Sequence, residues 1–165
     1  MAWISPTGFV DPSNKWTGEE RAYDGNVGVF TSTSKNEYYL ELTRSAIQCD
    51  KIRIYAAAAK AFWLVADVTI DVYYSNNWHN IFSGTVPKLA WVEKAIGSTE
   101  SVTAMRVKFH NIPGGGYGAL CEAEFNEVVS GLINGYFMQN GVKVEKFGYY
   151  MNSIEEFGYY MNPIV

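Results

Sequence analysis

From Asp67 to Tyr74 the chain alternates without a break. Val68, Ile70, Val72 and Tyr74 fall on one side, and Asp67, Thr69, Asp71 and Tyr73 on the other. Side chains switch sides at every residue only in a strand, so this segment is a β-strand with one buried face. Ser75-Asn76-Asn77 then reads as a hairpin turn into Trp78–Phe82. Further β runs recur at Tyr38–Leu42, Lys51–Tyr55, Leu89–Ile96, Val102–Phe109 and Gly118–Val128. In the last of these Leu120, Glu122 and Glu124 oppose Cys121, Ala123 and Phe125, which puts the two glutamates on a solvated or functional face. Residues 1–36 are rich in turn signals such as Asp11-Pro12-Ser13-Asn14 and Asp24-Gly25-Asn26. They read as ordered loop with one short strand.

Seven or eight short strands with almost no helix make an all-β sandwich or barrel. Its core is expected at Leu40, Leu42, Ile52, Ile54, Val68, Ile70, Val72, Val107 and Phe125. The alanine run Ala56–Ala59 favours helix. It is too short to stand alone and lies between strands, so it reads as a loop with at most one helical turn.

Composition removes several functions. A formal charge of −4 argues against a nucleic-acid-binding face. No apolar run of about 18 residues exists for a membrane span. The opening Met-Ala-Trp-Ile-Ser-Pro does not read as a secretory signal. Cys49 and Cys121 form neither a metal motif nor a redox pair and read as buried thiols; a disulfide between them stays open. No metalloprotease or hydrolase motif occurs, and His79 and His110 read as structural. Gly114–Gly118 lacks the Lys-Ser/Thr and helix of a phosphate loop. The acidic pairs, such as Glu19-Glu20, carry no sign of acid–base work, so an enzyme is not expected.

An ordered set of motifs points to a family. Ala22-Tyr23-Asp24-Gly25-Asn26 followed by Tyr38-Tyr39-Leu40-Glu41-Leu42 resembles the opening of discoidin-type, galactose-binding-like domains. Cys49–Ile54, the hairpin Ile70–Trp78, Val102–Phe109 and Leu120–Phe125 resemble that family's later strands, in order. Leu42-Thr43 departs from its Asp-Leu-Gly ending. The similarity spans about residues 5–128 and implies a discoidin-like jelly-roll β-sandwich at 1–128 with a C-terminal β-rich extension at 129–165. In style the chain is most similar to small discoidin-like proteins of phages and prophages.

The resemblance also implies sites. A structural Ca²⁺ is implied at Asp24 and Glu122, with carbonyls from near Ala22 and Asn26, although Val29 stands where the family has a threonine ligand. The other reading is that Asp24 caps its own turn. Ligand loops are implied at one end of the sandwich: Asn14–Glu20, Thr31–Glu37, Ala56–Trp63 and His110–Tyr117. There Trp16, Phe62, Trp63 and Tyr117 are candidates to stack on sugar faces, and Lys60 and Asn111 to bond hydroxyls. Ordinary packing under loops is the alternative for each.

Beyond Val128 the chain holds a repeat. Val144–Ser153 and Ile154–Pro163 agree at seven of ten positions. Ahead of it, Asn140-Gly141 between Gly135–Gln139 and Val142–Lys146 signals a hairpin. So short a β-appendage cannot bury its aromatics alone. It must pack on its own domain as strands that extend the sandwich, on another subunit or on a different protein. The favoured expectation is subunit contacts through Phe147, Tyr149, Tyr150, Phe157, Tyr159 and Tyr160. The leading reading is a non-catalytic virion structural or accessory protein (decoration, fibre or tail-associated), with other copies of itself or other virion proteins as partners. The alternative is an extracellular or cell-surface carbohydrate-binding module or adhesin that recognises glycans.

Overall fold

The computed structural model describes residues 2–129, 137–139 and 142–144. The chain divides into two units, Met1–Val129 and Ser130–Val165. In the first, ten strands form one antiparallel sheet: β1 (Ala2–Ile4), β2 (Gly8–Val10), β3 (Trp16–Thr17), β4 (Thr31–Thr33), β5 (Tyr39–Ala59), β6 (Trp63–Leu64), β7 (Ala66–Tyr74), β8 (Asn77–Val86), β9 (Trp91–Phe109) and β10 (Tyr117–Glu127). The only helical element among the described residues is a 3-10 turn at Glu19–Ala22. In the second unit Phe137–Gln139 pairs antiparallel with Val142–Val144, with Gln139 opposite Val142. Phe147, Tyr149, Tyr150, Phe157, Tyr159 and Tyr160 lie outside the described residues.

The sheet curls into two layers because two strands are long and bent. β5 has 21 residues and β9 has 19. The first half of β5 pairs with β2 and with the second half of β9, which in turn pairs with β7 and then β8. The second half of β5 pairs with the first half of β9 on one side and with β10 on the other; β10 carries β1 and β4, and β4 carries β3. The two long strands change layer at register shifts between Thr43 and Ile47 and between Cys49 and Lys51, where bulging bends the ladder. Each long strand spans two of the β runs expected from sequence. The bends need no chain reversal, and Thr43–Asp50 holds neither Gly nor Pro to force one.

All nine expected core residues are fully buried, and both layers feed one cluster. The β7–β8 hairpin turns at Ser75 and Asn76, which have φ of 50° and 60°. Two left-handed residues make the turn whose twist matches paired strands. Cys49 and Cys121 are buried free thiols, and burial pushes each up to about 11.

Three expectations are corrected. Residues 1–36 carry four short strands rather than one. Ala56–Ala59 is strand, not loop: it continues β5 and pairs with Leu120, Ala119, Gly118 and Tyr117. All four alanines are buried, so packing overrides helix preference. The Glu122 face is not solvated. A register shift at Cys121 gives β10 an extra residue, so Leu120 faces the core while Ala123 and Phe125 do so beyond the bulge. Glu122 itself is 1% exposed.

Gly118 is set by a close approach. A Cβ there would stand 2.6 Å from the Phe109 ring. Gly118→Ala is expected to destabilise by about 1–3 kcal/mol through overpacking. Urea unfolding measures this, and an unchanged midpoint would mean that the ring does not lie on this glycine.

Candidate functional site

The alternation of β5 turns Ala56 and Ala58 into the core cluster and leaves Ala57 and Ala59 on the outer side of their layer. Ala59 lies between Trp63 on β6 and Tyr117 on β10 in the sheet register. With so small a residue between them, the two large rings meet at 6.2 Å, edge to face. Phe30 completes the group: it stacks on Tyr117 at 5.5 Å and 11° and meets Trp63 edge-on at 5.5 Å. All three rings are half-buried. Beside them Lys60 and Phe62 stand exposed at the β5–β6 turn, Phe62 at 69%. Lys60 extends alongside Gly115 of the β9–β10 loop.

Two other groups of outward-facing aromatics are capped. Arg53 sits between Trp3 at 4.4 Å and Trp91 at 4.1 Å and pairs with Glu124. Arg106 sits between Tyr39 at 5.0 Å and Trp78 at 4.5 Å and pairs with Asp71 at 2.6 Å. These guanidiniums occupy ring faces that a sugar would need. The Phe30, Trp63 and Tyr117 rings carry no such cap.

The neighbouring loops are tied down. His110 Nδ1 pairs with the Glu37 carboxylate and Nε2 lies 2.7 Å from Thr69 Oγ1. The hydrogen bond to His110 holds the Glu37 carboxyl below its usual range. Asn36 Oδ1 accepts from the Ile112 N–H at 2.9 Å. His79 stacks on Tyr74 at 3.8 Å. Both histidines thus brace structure.

Of the residues read from sequence, Trp63 and Tyr117 come together, with Lys60 and Phe62 at the same end. Two do not serve as read. Trp16 is 4% exposed and packs in the core with its ring 5.9 Å from Phe109, so it has no face for a sugar. Asn111 commits its amide to backbone, accepting from Asp67 N–H at 2.8 Å and donating to Val65 C=O at 3.3 Å. Its work is to hold the loop. Phe30 was missed; a single Phe before Thr31-Ser32-Thr33 carries no signal in sequence, and only the tertiary contact reveals it.

A second cluster lies on β10. Glu122 Oε1 accepts from the N–H groups of Gly25 at 2.6 Å and Asn26 at 2.9 Å. Its Oε2 is buried without a partner. Burial first, and the Asp24 carboxylate beside it, push Glu122 up to about 7. Asp24 Oδ1 also accepts from Asn26 N–H at 2.9 Å, the turn-capping bond. Both readings of Asp24 therefore meet in one loop. An all-oxygen pair of carboxylates with one unsatisfied buried oxygen suits a hard cation. The loop turns amide N–H groups toward Glu122, so further ligands would come from other carbonyls. Among the described residues no group of three or more His, Cys, Asp or Glu gathers in a metal-binding arrangement. No described helix is long and apolar enough to cross a membrane.

No protein-family model matches the chain, and no curated protein aligns with it. Solved structures do resemble it. A CBM32 domain of AlyQ, in complex with 4,5-unsaturated mannuronic acid, superposes with a TM-score of 0.59 at 13% identity, covering 78% of this chain and all of that one. The family 32 module of Clostridium perfringens NanJ, in complex with galactose, gives 0.59 at 14% identity over 74% of this chain and 96% of that one. A Streptococcus pneumoniae fucose-binding module, SpX-3, gives 0.57 at 16% identity over 78% of this chain and all of that one. The chain therefore has the discoidin-like, galactose-binding-like jelly-roll fold of the CBM32 domains.

Proposed function

We propose that the chain is a non-catalytic carbohydrate-binding module that takes a glycan at the Phe30–Trp63–Tyr117 corner. The carrying observation is that these rings are uncapped, while Arg53 and Arg106 cover ring faces elsewhere. Aromatic faces suit the C–H faces of pyranose rings, and loops at one end of a rigid sandwich suit recognition. One structural neighbour in complex with galactose and another that is a fucose-binding module support the reading. The setting it implies is outside the cell or at its surface. A virion role with assembly through the repeat draws no support from the described residues or from the neighbours.

Asp24 and Glu122 would hold a structural Ca²⁺ in this reading. The ion would neutralise the Glu122 oxygen that lacks a partner and lock the Tyr23–Phe30 loop, whose last residue belongs to the aromatic corner.

A glycan array with the full chain, followed by calorimetric titration of the best sugar, tests the main reading. Trp63→Ala is expected to lower affinity at least about tenfold, the scale of losing a central aromatic anchor. A chain that binds no sugar, or a Trp63→Ala variant that binds undiminished, would sink it.

A further inference from the structure

The segments that meet around the aromatic corner have a one-sided charge. Val27–Thr33, Ala56–Val65, Val86–Trp91 and Asn111–Cys121 together contain Lys60 and Lys88 and not one Asp, Glu or Arg. The chain as a whole is at −4, so this end departs from the rest in sign. Structure brings both lysines to the segments that carry the rings. Lys88 Nζ donates to the Trp63 carbonyl oxygen at 3.2 Å, which fixes one ammonium at the foot of the indole-bearing strand. Lys60 follows Ala59, the residue between the Trp63 and Tyr117 strands, and its backbone N–H bonds Phe62 C=O across the turn. Neither ammonium has a carboxylate partner among the described residues. Lys108, by contrast, is paired with Glu37 at 3.4 Å.

We infer that the ligand of this corner is a saccharide carrying an anionic group, a carboxylate or a sulfate, which Lys60 and Lys88 receive while the rings take the sugar face. This rests on the glycan-binding reading and adds the substrate class. A neutral sugar would leave both ammoniums without a counter-charge. An anionic one gains their attraction without displacing any existing ion pair, and local positive charge in a negative chain also concentrates and orients an acidic ligand. Each exposed ion pair is worth up to about fivefold in affinity, so two pairs of about threefold each multiply to about tenfold at low salt. Salt screens such pairs.

The test titrates the full chain with three ligands of equal length: a galacturonate oligosaccharide, a sulfated galacto-oligosaccharide and a neutral galacto-oligosaccharide, at low and high salt. One of the acidic ligands should bind about tenfold tighter than the neutral one at low salt, and that advantage should shrink at high salt. The two acidic arms tell carboxylate from sulfate. The double variant Lys60→Gln, Lys88→Gln should bring the acidic-to-neutral ratio close to one, with its melting point checked against the parent. Equal binding of all three ligands, or a preference that survives the double substitution, overturns the inference while leaving the glycan-binding reading intact. Binding of none of the three overturns the inference, and the glycan array decides the glycan-binding reading separately.

Discussion

Ile70→Ala should lower the stability of the first unit by about 2–5 kcal/mol, the cost of emptying a large aliphatic site in a core that cannot fully collapse. Ile70 is fully buried in β7, which has β8 on one side and β9 on the other. It lies opposite Phe82 and Val107, and β7 belongs to the layer that presses Leu40, Leu42, Val68, Val72 and Val107 onto the second layer's Ile52, Ile54 and Phe125. The surrounding backbone is paired on both sides, so it has little freedom to move into the gap. Chemical denaturation should show a lower midpoint with an unchanged slope. Thr85→Ala, at an exposed position on β8, should stay within about 0.5 kcal/mol. An Ile70→Ala cost below about 1 kcal/mol would contradict the inward placement of this strand face.

Chelation of calcium should lower the melting midpoint. An ion present at about 100 times its dissociation constant stabilises the folded state by about 2.7 kcal/mol. The effect has a sign that a structural carboxylate would not reproduce. Without the ion, Glu122 is a buried carboxylate beside Asp24 with one oxygen unsatisfied. Glu122→Gln keeps an oxygen for the Gly25 and Asn26 N–H groups and removes the charge, so the variant should melt higher than the parent in chelator. It should also lose its response to added calcium. A parent midpoint that is the same with calcium and with chelator rejects the ion site, and a Glu122→Gln variant that still responds moves it elsewhere.

The strand faces were legible in the sequence wherever period-two alternation ran unbroken. Ile52 and Ile54, and Val68, Ile70 and Val72, could each point only one way once one face was buried, because a slip of a single residue would have sent them all to solvent. The β7–β8 turn was legible for the same local reason, since Ser75 and Asn76 accept the left-handed backbone that it needs. Alternation failed at Cys121. A bulge adds one residue to a single strand and exchanges the faces across it, so Leu120 joins Ala123 and Phe125 in the core, while Glu122 keeps its outward face and is buried there because the Gly25–Asn26 loop covers it. Ala56–Ala59 misled differently: intrinsic preference pointed to helix or loop, and pairing with β10 made it strand. The candidate site was less legible than the core. Trp63 and Tyr117 are more than fifty residues apart, and Phe30 more than thirty from either. Trp16 looked the same in sequence as they did and went to the core. Local chemistry thus settled which segments extend and which side of each is apolar. Which aromatics lie bare, which are capped by Arg53 and Arg106, and which carboxylate ends beside Asp24 depended on strand order and loop crossings, contacts between residues far apart in the chain that no local pattern encodes.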